Sequence, residues 1–307
     1  MVLASARRAV RLTALIAGIA LCIVVQRLRN EHAAQSVGFV AVRPAVGAST
    51  FRRFSVRKAP RCAGGDGAAS YILHVYDHCP FCNRVEMILG RFGIPYERVV
   101  YGYGEGAVPD ACGGTGYNPE GGPVVLTGKK LLPVLEGTEV PIMPGAKGMP
   151  ESLEICSYLV AKHDLVLPCD SGRPDLNSFR KDFKAISSQL IKPREINMPI
   201  KDWANPQDAA YARWKYTTKA GFDYEAAEAA TPDLLAKVNE KLKELVPLIR
   251  GSDSLNSWGW GMDDVILLPD LRRLMCVKGV IFPPKVETYM RATLEKTSLA
   301  DWSKTAC

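Results

Sequence analysis

Asp77-His78-Cys79-Pro80-Phe81-Cys82 sets two thiols three residues apart, where a short apolar run gives way to a helical pattern. A cysteine at the start of a helix faces unpaired N–H groups and the positive end of the helix dipole, and both favour an anion. The thiol pKa falls there, and the thiolate is the nucleophile. Three residues are close to one helical turn, so the second sulfur can close a disulfide on the first. Cys79 is therefore expected to attack and Cys82 to resolve. Pro80 suits the first helical turn, where no N–H is needed. His78 reads as a polar neighbour of the thiolate rather than a base, because the helix end already supplies activation. Two plainer readings stay open. One is a zinc site, but zinc wants four ligands; no second C-x-x-C accompanies this one, and of the nearby His74 and His78 the first lies in the strand. The other is a pair of buried structural cysteines.

Two further spots could serve such a thiol. Pro133 follows Leu132 inside a strand pattern, where proline marks an edge, a bulge or a cis bond. The peptide group before a cis-proline next to a reactive cysteine can hydrogen-bond the backbone of a bound thiol peptide, as an added strand would. Leu132 would do so here. Glu151-Ser152 opens a helical pattern running to Val160. A hydroxyl, a carboxylate and free N–H groups at a helix start can hold both ends of an amino acid. Taken alone they would be a plain cap; beside the C-P-F-C and the strand proline, a ligand site is the better reading.

The elements that position these residues follow from periodicity. Tyr71 to Tyr76 is a short apolar run bounded by turn residues, hence a buried strand. Val85, Ile88, Leu89 and Phe92 recur at helical spacing, and Gly93 ends that helix. Tyr96 to Tyr101 reads as a second strand. Strand, C-x-x-C, helix, strand is the thioredoxin-like redox pattern. Gly102 to Gly122 reads as an inserted surface loop with Cys112 as an exposed spectator thiol, a regulatory role staying open. Pro123 to Leu126 and Leu131 to Leu135 look strand-like around a Gly128-Lys129-Lys130 turn. Helical patterning then covers Asp175 to Leu190, Ala204 to Ala220, Ala226 to Arg250 and Asp263 to Lys278. Trp203, Trp214, Trp258 and Trp260 are expected in the core or the cleft wall. Cys156 and Cys276, on apolar helix faces, are expected buried and inert.

The charge is unevenly placed. Residues 1–69 hold 11 Lys/Arg and 2 Asp/Glu, while the remaining 238 residues hold 28 and 30. The basic balance belongs to the leader, and the body carries no electrostatic signature of nucleic-acid binding. Nine cysteines, odd in number and mostly scattered, do not resemble a disulfide-stapled secreted fold. Arg7, Arg8 and Arg11 precede the 14-residue apolar run Leu12 to Val25, short for a membrane span but right for a signal core. An Arg-rich, acid-poor stretch follows. That order looks like a two-part plastid leader; a mitochondrial presequence and an uncleaved membrane anchor are the other readings. Residues 1–69 are thus expected to be a targeting leader and linker, largely disordered.

YDHCPFC, LPVL and MPES, in this order, resemble the glutaredoxin 2 family, whose pattern is YDHCPYC, a VPIL segment and MPES. The likeness continues in Gln189 to Arg194, in Asp263 to Leu274 and in Val277 to Pro283, and spans about Tyr71 to Trp302. It implies an α/β + all-α chain: a thioredoxin-like N-terminal domain over 70–165, then an all-helical glutathione-transferase-type C-terminal domain over 175–307. It implies a glutathione-dependent thiol–disulfide oxidoreductase acting on glutathione mixed disulfides and protein disulfides as a monomer, with glutathione as cosubstrate and no metal. Cys79 and Cys82 would be catalytic; Phe81, Arg84, Leu132, Pro133, Glu151 and Ser152 would hold glutathione, with Arg84 facing its glycyl carboxylate. The chain departs from the family in the loop around Cys112, in the insert around Pro144, and in Gly261, where a capping serine is expected. The rival readings are a cysteine-type glutathione transferase or dehydroascorbate reductase, which often lack the second cysteine, and a non-catalytic or membrane-associated protein of the same fold.

Overall fold

The computed structural model describes residues 70–307; the leader and hinge expected over residues 1–69 lie outside them. Strand β1, Tyr71–Val75, buries Leu73 and Val75 completely. It runs through Tyr76–Cys79 into helix α1, Pro80–Arg91, with proline in the first turn. Gly93 follows at φ 63°, the left-handed conformation glycine adopts without a Cβ penalty. Strand β2, Tyr96–Val100, lies parallel to β1, with Tyr71 opposite Tyr96 and Val75 opposite Val100. Strand β3, Val134–Gly137, pairs antiparallel on the other side of β1, and β4, Met149–Pro150, pairs antiparallel with β3. The sheet order is β2-β1-β3-β4. Helices α2, Val124–Thr127, and α3, Ser152–Lys162, complete this half.

The second half is all helix: α4, Pro174–Glu195; α5, Pro206–Ala220; α6, Tyr224–Ala229; α7, Thr231–Leu245; α8, Met262–Leu274; and α9, Pro284–Thr297. In α7, Leu234, Val238, Leu242 and Leu245 recur every three or four residues, and all four are buried. That stripe packs on α4, which also meets α8. The two halves share α1. It packs on α3 within its own half and on α8 and α9 of the other. Val85, Met87, Ile88 and Leu89 therefore have no exposed surface at all. Gly90 lets α9 approach: a Cβ there would stand 2.0 Å from the Thr297 carbonyl oxygen. The fold class is the expected one, a thioredoxin-like α/β half followed by an all-helical half.

Several local expectations are corrected. Pro123 to Leu126 is not a strand; Val124–Thr127 forms one helical turn, entered through Pro123 and closed by Gly128 at φ 72°. The helix expected over Ala226 to Arg250 is divided at Ala230, and Pro232, which disfavours a helix interior, falls in the first turn of α7. Helix α9 was not foreseen. Trp258 is half exposed rather than in the core.

The largest difference is at Gly102 to Gly122. Much of this segment is not a surface loop. Tyr103 and Cys112 are buried, and the Cys112 thiol is pushed up by that burial. Gly104 N–H and the Tyr117 hydroxyl donate to Asp208 of α5 at 2.7 and 3.0 Å. The anchoring carboxylate lies about a hundred residues further on, so no local pattern announced it. At the start of α8, Gly261 has no side chain to cap with. Asp264 supplies the returning half of a capping box, accepting from Gly261 N–H at 2.8 Å, and it also accepts from Leu255 N–H and the Tyr289 hydroxyl. Among the described residues, no helix is long and apolar enough to cross a membrane.

Candidate active site

The sheet register gathers the candidate residues at one end. Val134, the first residue of β3, stands opposite His74 near the end of β1 and opposite Pro150 of β4. The residues just beyond these pairs are the Tyr76–Cys79 turn, Pro133, and Glu151 with Ser152. The Leu132–Pro133 peptide is cis. One strand order thus brings together three segments separated in the chain, the Tyr76–Cys79 turn, Pro133, and Glu151 with Ser152.

Cys79 is the N-cap of α1, with extended backbone (φ −74°, ψ 118°) and no capping bond from its side chain. Its sulfur is left to face the helix start. Cys79 keeps 8% of its surface and Cys82 none, so a reagent from solvent meets Cys79 first. Neither is in a disulfide. The hydrogen bond from the Cys82 thiol, the charge of His78 and the N–H groups of Cys82 and Phe81 outweigh burial and bring Cys79 down to about 6. Burial, reinforced by the neighbouring Cys79, pushes Cys82 well above the ordinary thiol range. At neutral pH the pair is one thiolate and one thiol hydrogen-bonded to it. That is the state a nucleophile and its resolving partner need.

His78 contributes more than its sequence context suggested. It is buried, and its Nδ1 lies 2.6 Å from an Asp202 carboxylate oxygen. The backbone N–H groups of Asp77 and His78 donate to the same carboxylate at 3.0 and 2.9 Å. Burial alone would push the imidazole down; the hydrogen bond and charge of Asp202 prevail and raise it. The ring sits among Trp203, Tyr103 and Tyr76, at 4.8, 4.9 and 5.8 Å between centroids. A second clamp comes from α8. The Arg272 guanidinium, fully buried, donates to the Asp77 carbonyl at 3.0 Å, to Asn83 Oδ1 at 2.9 Å and to the Asp77 carboxylate at 3.1 Å. Asp202 and Arg272 thus hold the turn before Cys79 from the helical half. Nothing near either residue in the sequence pointed to this.

Lys130 was also missed. It donates to the Tyr76 hydroxyl at 2.7 Å and to the Tyr103 carbonyl, and lies over the rings of Tyr76, Tyr103 and Tyr211 at 4.8–4.9 Å. Burial, with Lys215 nearby, lowers its pKa to about 7.

The remaining candidates lie on the first turns of α1 and α3. Phe81 is 44% exposed on the first turn of α1, and the Arg84 guanidinium stacks over its ring at 4.7 Å. Arg84 Nε is buried without a hydrogen-bond partner. Burial lowers the Arg84 pKa, against the pull of Asp270. Glu151 is exposed and holds φ 73°, a strained conformation for a residue with a side chain. It is the N-cap of α3 but makes no capping bond; Ser152, buried, is the first helical residue. Neither side chain caps the helix, so the plain-cap reading does not hold. Among the described residues, no group of three or more His, Cys, Asp or Glu is placed to hold a metal ion.

A mixed four-stranded sheet with a thiolate at its first helix, joined to a helical bundle through that helix, defines a protein of the glutathione-transferase fold class with a thioredoxin-like first domain. Two family models match: "Glutathione S-transferase, N-terminal domain" over residues 78–162 and "Glutaredoxin 2, C terminal domain" over residues 175–306. Together these matches and the relatives below support a likeness to the glutaredoxin 2 family. It is 24% identical over 227 residues to Glutaredoxin 2 of Escherichia coli (strain K12), covering 74% of this chain and 95% of that one. Among solved structures it is similar to the crystal structure of Glutaredoxin 2 from Salmonella typhimurium in complex with glutathione. That match has TM-score 0.66 and 24% identity, and covers 78% of this chain and 100% of the other.

Proposed function

We propose that the protein is a glutathione-dependent thiol–disulfide oxidoreductase that reduces glutathione mixed disulfides and protein disulfides. The observation that carries this reading is the split between two neighbouring thiols: Cys79 lowered to about 6 and partly reachable, Cys82 raised and sealed. In the cycle, Cys79 thiolate attacks the sulfur of a substrate disulfide and the leaving thiolate takes up a proton. The mixed disulfide on Cys79 is then cleaved by a second glutathione, or by Cys82 once it gives up its proton. The Leu132 peptide would pair with the backbone of the bound cysteinyl residue. The start of α3 and Ser152 would take the γ-glutamyl carboxylate, Glu151 its ammonium, and Arg84 the glycyl carboxylate. The unpartnered Arg84 Nε supports that last role, and the glutathione bound to the Salmonella relative supports the ligand.

The test is mass spectrometry of the reduced protein mixed with glutathione disulfide, together with turnover of hydroxyethyl disulfide, dehydroascorbate and an aryl halide. The expected adduct is on Cys79. A Cys82→Ser variant should keep deglutathionylation and lose reduction of protein disulfides. A Cys79→Ser protein that still reduced hydroxyethyl disulfide would overturn the assignment, and activity confined to dehydroascorbate or the aryl halide would favour the transferase-type rival.

Three expectations from the sequence join this proposal. The folded enzyme acts as a monomer, which light scattering would check. Its two domains span 70–165 and 175–307. Residues 1–69 are an organelle address, plastid first; fusing them to a fluorescent protein and following it by microscopy separates plastid, mitochondrial and membrane destinations.

A further inference from the structure

Cys276 and Cys307 lie side by side. Cys307 N–H donates to the Cys276 carbonyl at 2.9 Å, and Lys278 N–H donates back to the Cys307 carbonyl at 3.1 Å. With standard backbone lengths, the first of these bonds holds the two Cα atoms within about 6.8 Å, inside the span that disulfides bridge. Both thiols lie by the end of α4. The Cys307 thiol reaches the Arg194 carbonyl oxygen at 3.6 Å, at the end of α4. Cys276, fully buried, feels Glu195, Arg194 and Cys307 as neighbours. Both thiols are free, and they differ in access: Cys276 is sealed and Cys307 is open to solvent.

The segment that ends in Cys307 covers something used elsewhere. The Ala300 carbonyl accepts from Arg272 Nε at 2.9 Å, and the Trp302 ring lies 3.8 Å from the Arg272 guanidinium carbon. Arg272 in turn grips Asp77 and Asn83. A bond that fixed Cys307 would therefore fasten the cover over a buried cation that holds the turn leading to Cys79.

We propose that Cys276 and Cys307 form a second thiol–disulfide centre, separate from Cys79 and Cys82, whose oxidation latches residues 299–307 over the buried Arg272. The oxidant is a low-molecular-weight disulfide of the glutathione disulfide class. Cys307, the open thiol, attacks as thiolate; a sulfur–sulfur bond forms to one glutathione, and the other leaves and takes up a proton. Cys276 then loses its proton and displaces the remaining glutathione. Two protein thiols are oxidised by two electrons, and one small disulfide becomes two thiols. Burial holds the Cys276 thiol up to about 12, so the second step is slow and the centre responds to sustained oxidation rather than turning over.

The experiment equilibrates the full chain with reduced and oxidised glutathione in ratios spanning the physiological range. Free thiols are then alkylated and the digest is read by mass spectrometry. A Cys79→Ser/Cys82→Ser protein run in parallel removes the first dithiol, so the result does not depend on the proposed activity. The expected finding is a peptide pair joined through Cys276 and Cys307 in both proteins. Oxidised Cys79→Ser/Cys82→Ser protein should melt above its reduced form by about 5 °C, and amide exchange over 302–307 should slow. Adding Cys307→Ser, a change at an exposed position, should abolish all three effects. Recovery of Cys307 only as a glutathione adduct or a free thiol, with Cys276 still reduced in the most oxidising mixture, would overturn the proposal. A joined peptide with no change in melting or exchange would overturn the latch.

Discussion

Cys79 and Cys82 are chemically alike in the unfolded chain and are driven apart on folding. The hydrogen bond between them, the His78 charge and the N–H groups of α1 all stabilise negative charge on Cys79. Alkylation of the reduced protein by iodoacetamide should therefore follow an apparent pKa near 6 rather than the ordinary thiol value of 9.0. Asp202→Asn removes the carboxylate that raises the His78 pKa. It should move that midpoint upward by about half to one unit; an unchanged midpoint would show that the His78 charge does not reach the sulfur. The same shift has a stability consequence. Because the folded pKa is depressed, the stabilisation is present above pH 9.0 and is lost as pH falls through about 6. In urea titrations the advantage of the reduced protein over Cys79→Ser should shrink over that interval. At this scale the sequence was informative where a residue acts on its neighbours. Cys79, Cys82 and the Leu132–Pro133 bend could all be placed from spacing. Asp202 could not, since a single aspartate 124 residues from His78 carries no local mark.

Helix α1 is the element on which the two halves meet, and its turn is held by a buried cation rather than by apolar packing alone. Arg272 has no exposed surface and makes four hydrogen bonds, to Asp77, Asn83 and Ala300. Arg272→Met would leave Asp77 with one cation, Arg98, and strand the Asn83 oxygen. The expected loss is about 3–5 kcal/mol by urea unfolding, with the thiol reacting more slowly in the protein that remains folded. The α4–α7 contact tests the apolar side. Leu242, fully buried, should cost about 2–5 kcal/mol when cut to alanine, without shifting the thiol pKa. Periodicity made α1, α4 and α7 legible. Helix α9 was not read because Pro283 and Pro284 and the short polar-apolar mix after them do not stand out from a turn. The break at Pro232 and the helical turn at Val124 were lost for a related reason: proline and glycine placement decided them, against an apolar run that suggested something longer or flatter.

Taken whole, the chain is two familiar halves fastened by contacts that neither half contains. The class of each half could be read from strand and helix patterning, and the order of CPFC, LPVL and MPES tied them to one family. What escaped was the seam. The segment Gly102 to Gly122 looked like a solvent loop because it is rich in glycine, yet glycine is what lets its first part lie against α5. A Cβ on Gly102 would stand 2.0 Å from the Tyr117 hydroxyl and under 3 Å from Asp208. Gly102→Ala should accordingly loosen Tyr103 from the ring cluster around His78, read as faster amide exchange over 102–117 and a rise in the thiol pKa.

The Asp202 and Arg272 clamps carry an implication for synthesis. Both belong to the half made last, so a growing chain exposes its first cysteine pair before either clamp exists. A nascent polypeptide ending ahead of Asp202 should carry a less reactive thiol than the finished fold, and full reactivity should be reached only when α8 has closed on α1. Part of the sulfur's reactivity would thus arrive with completion of the fold.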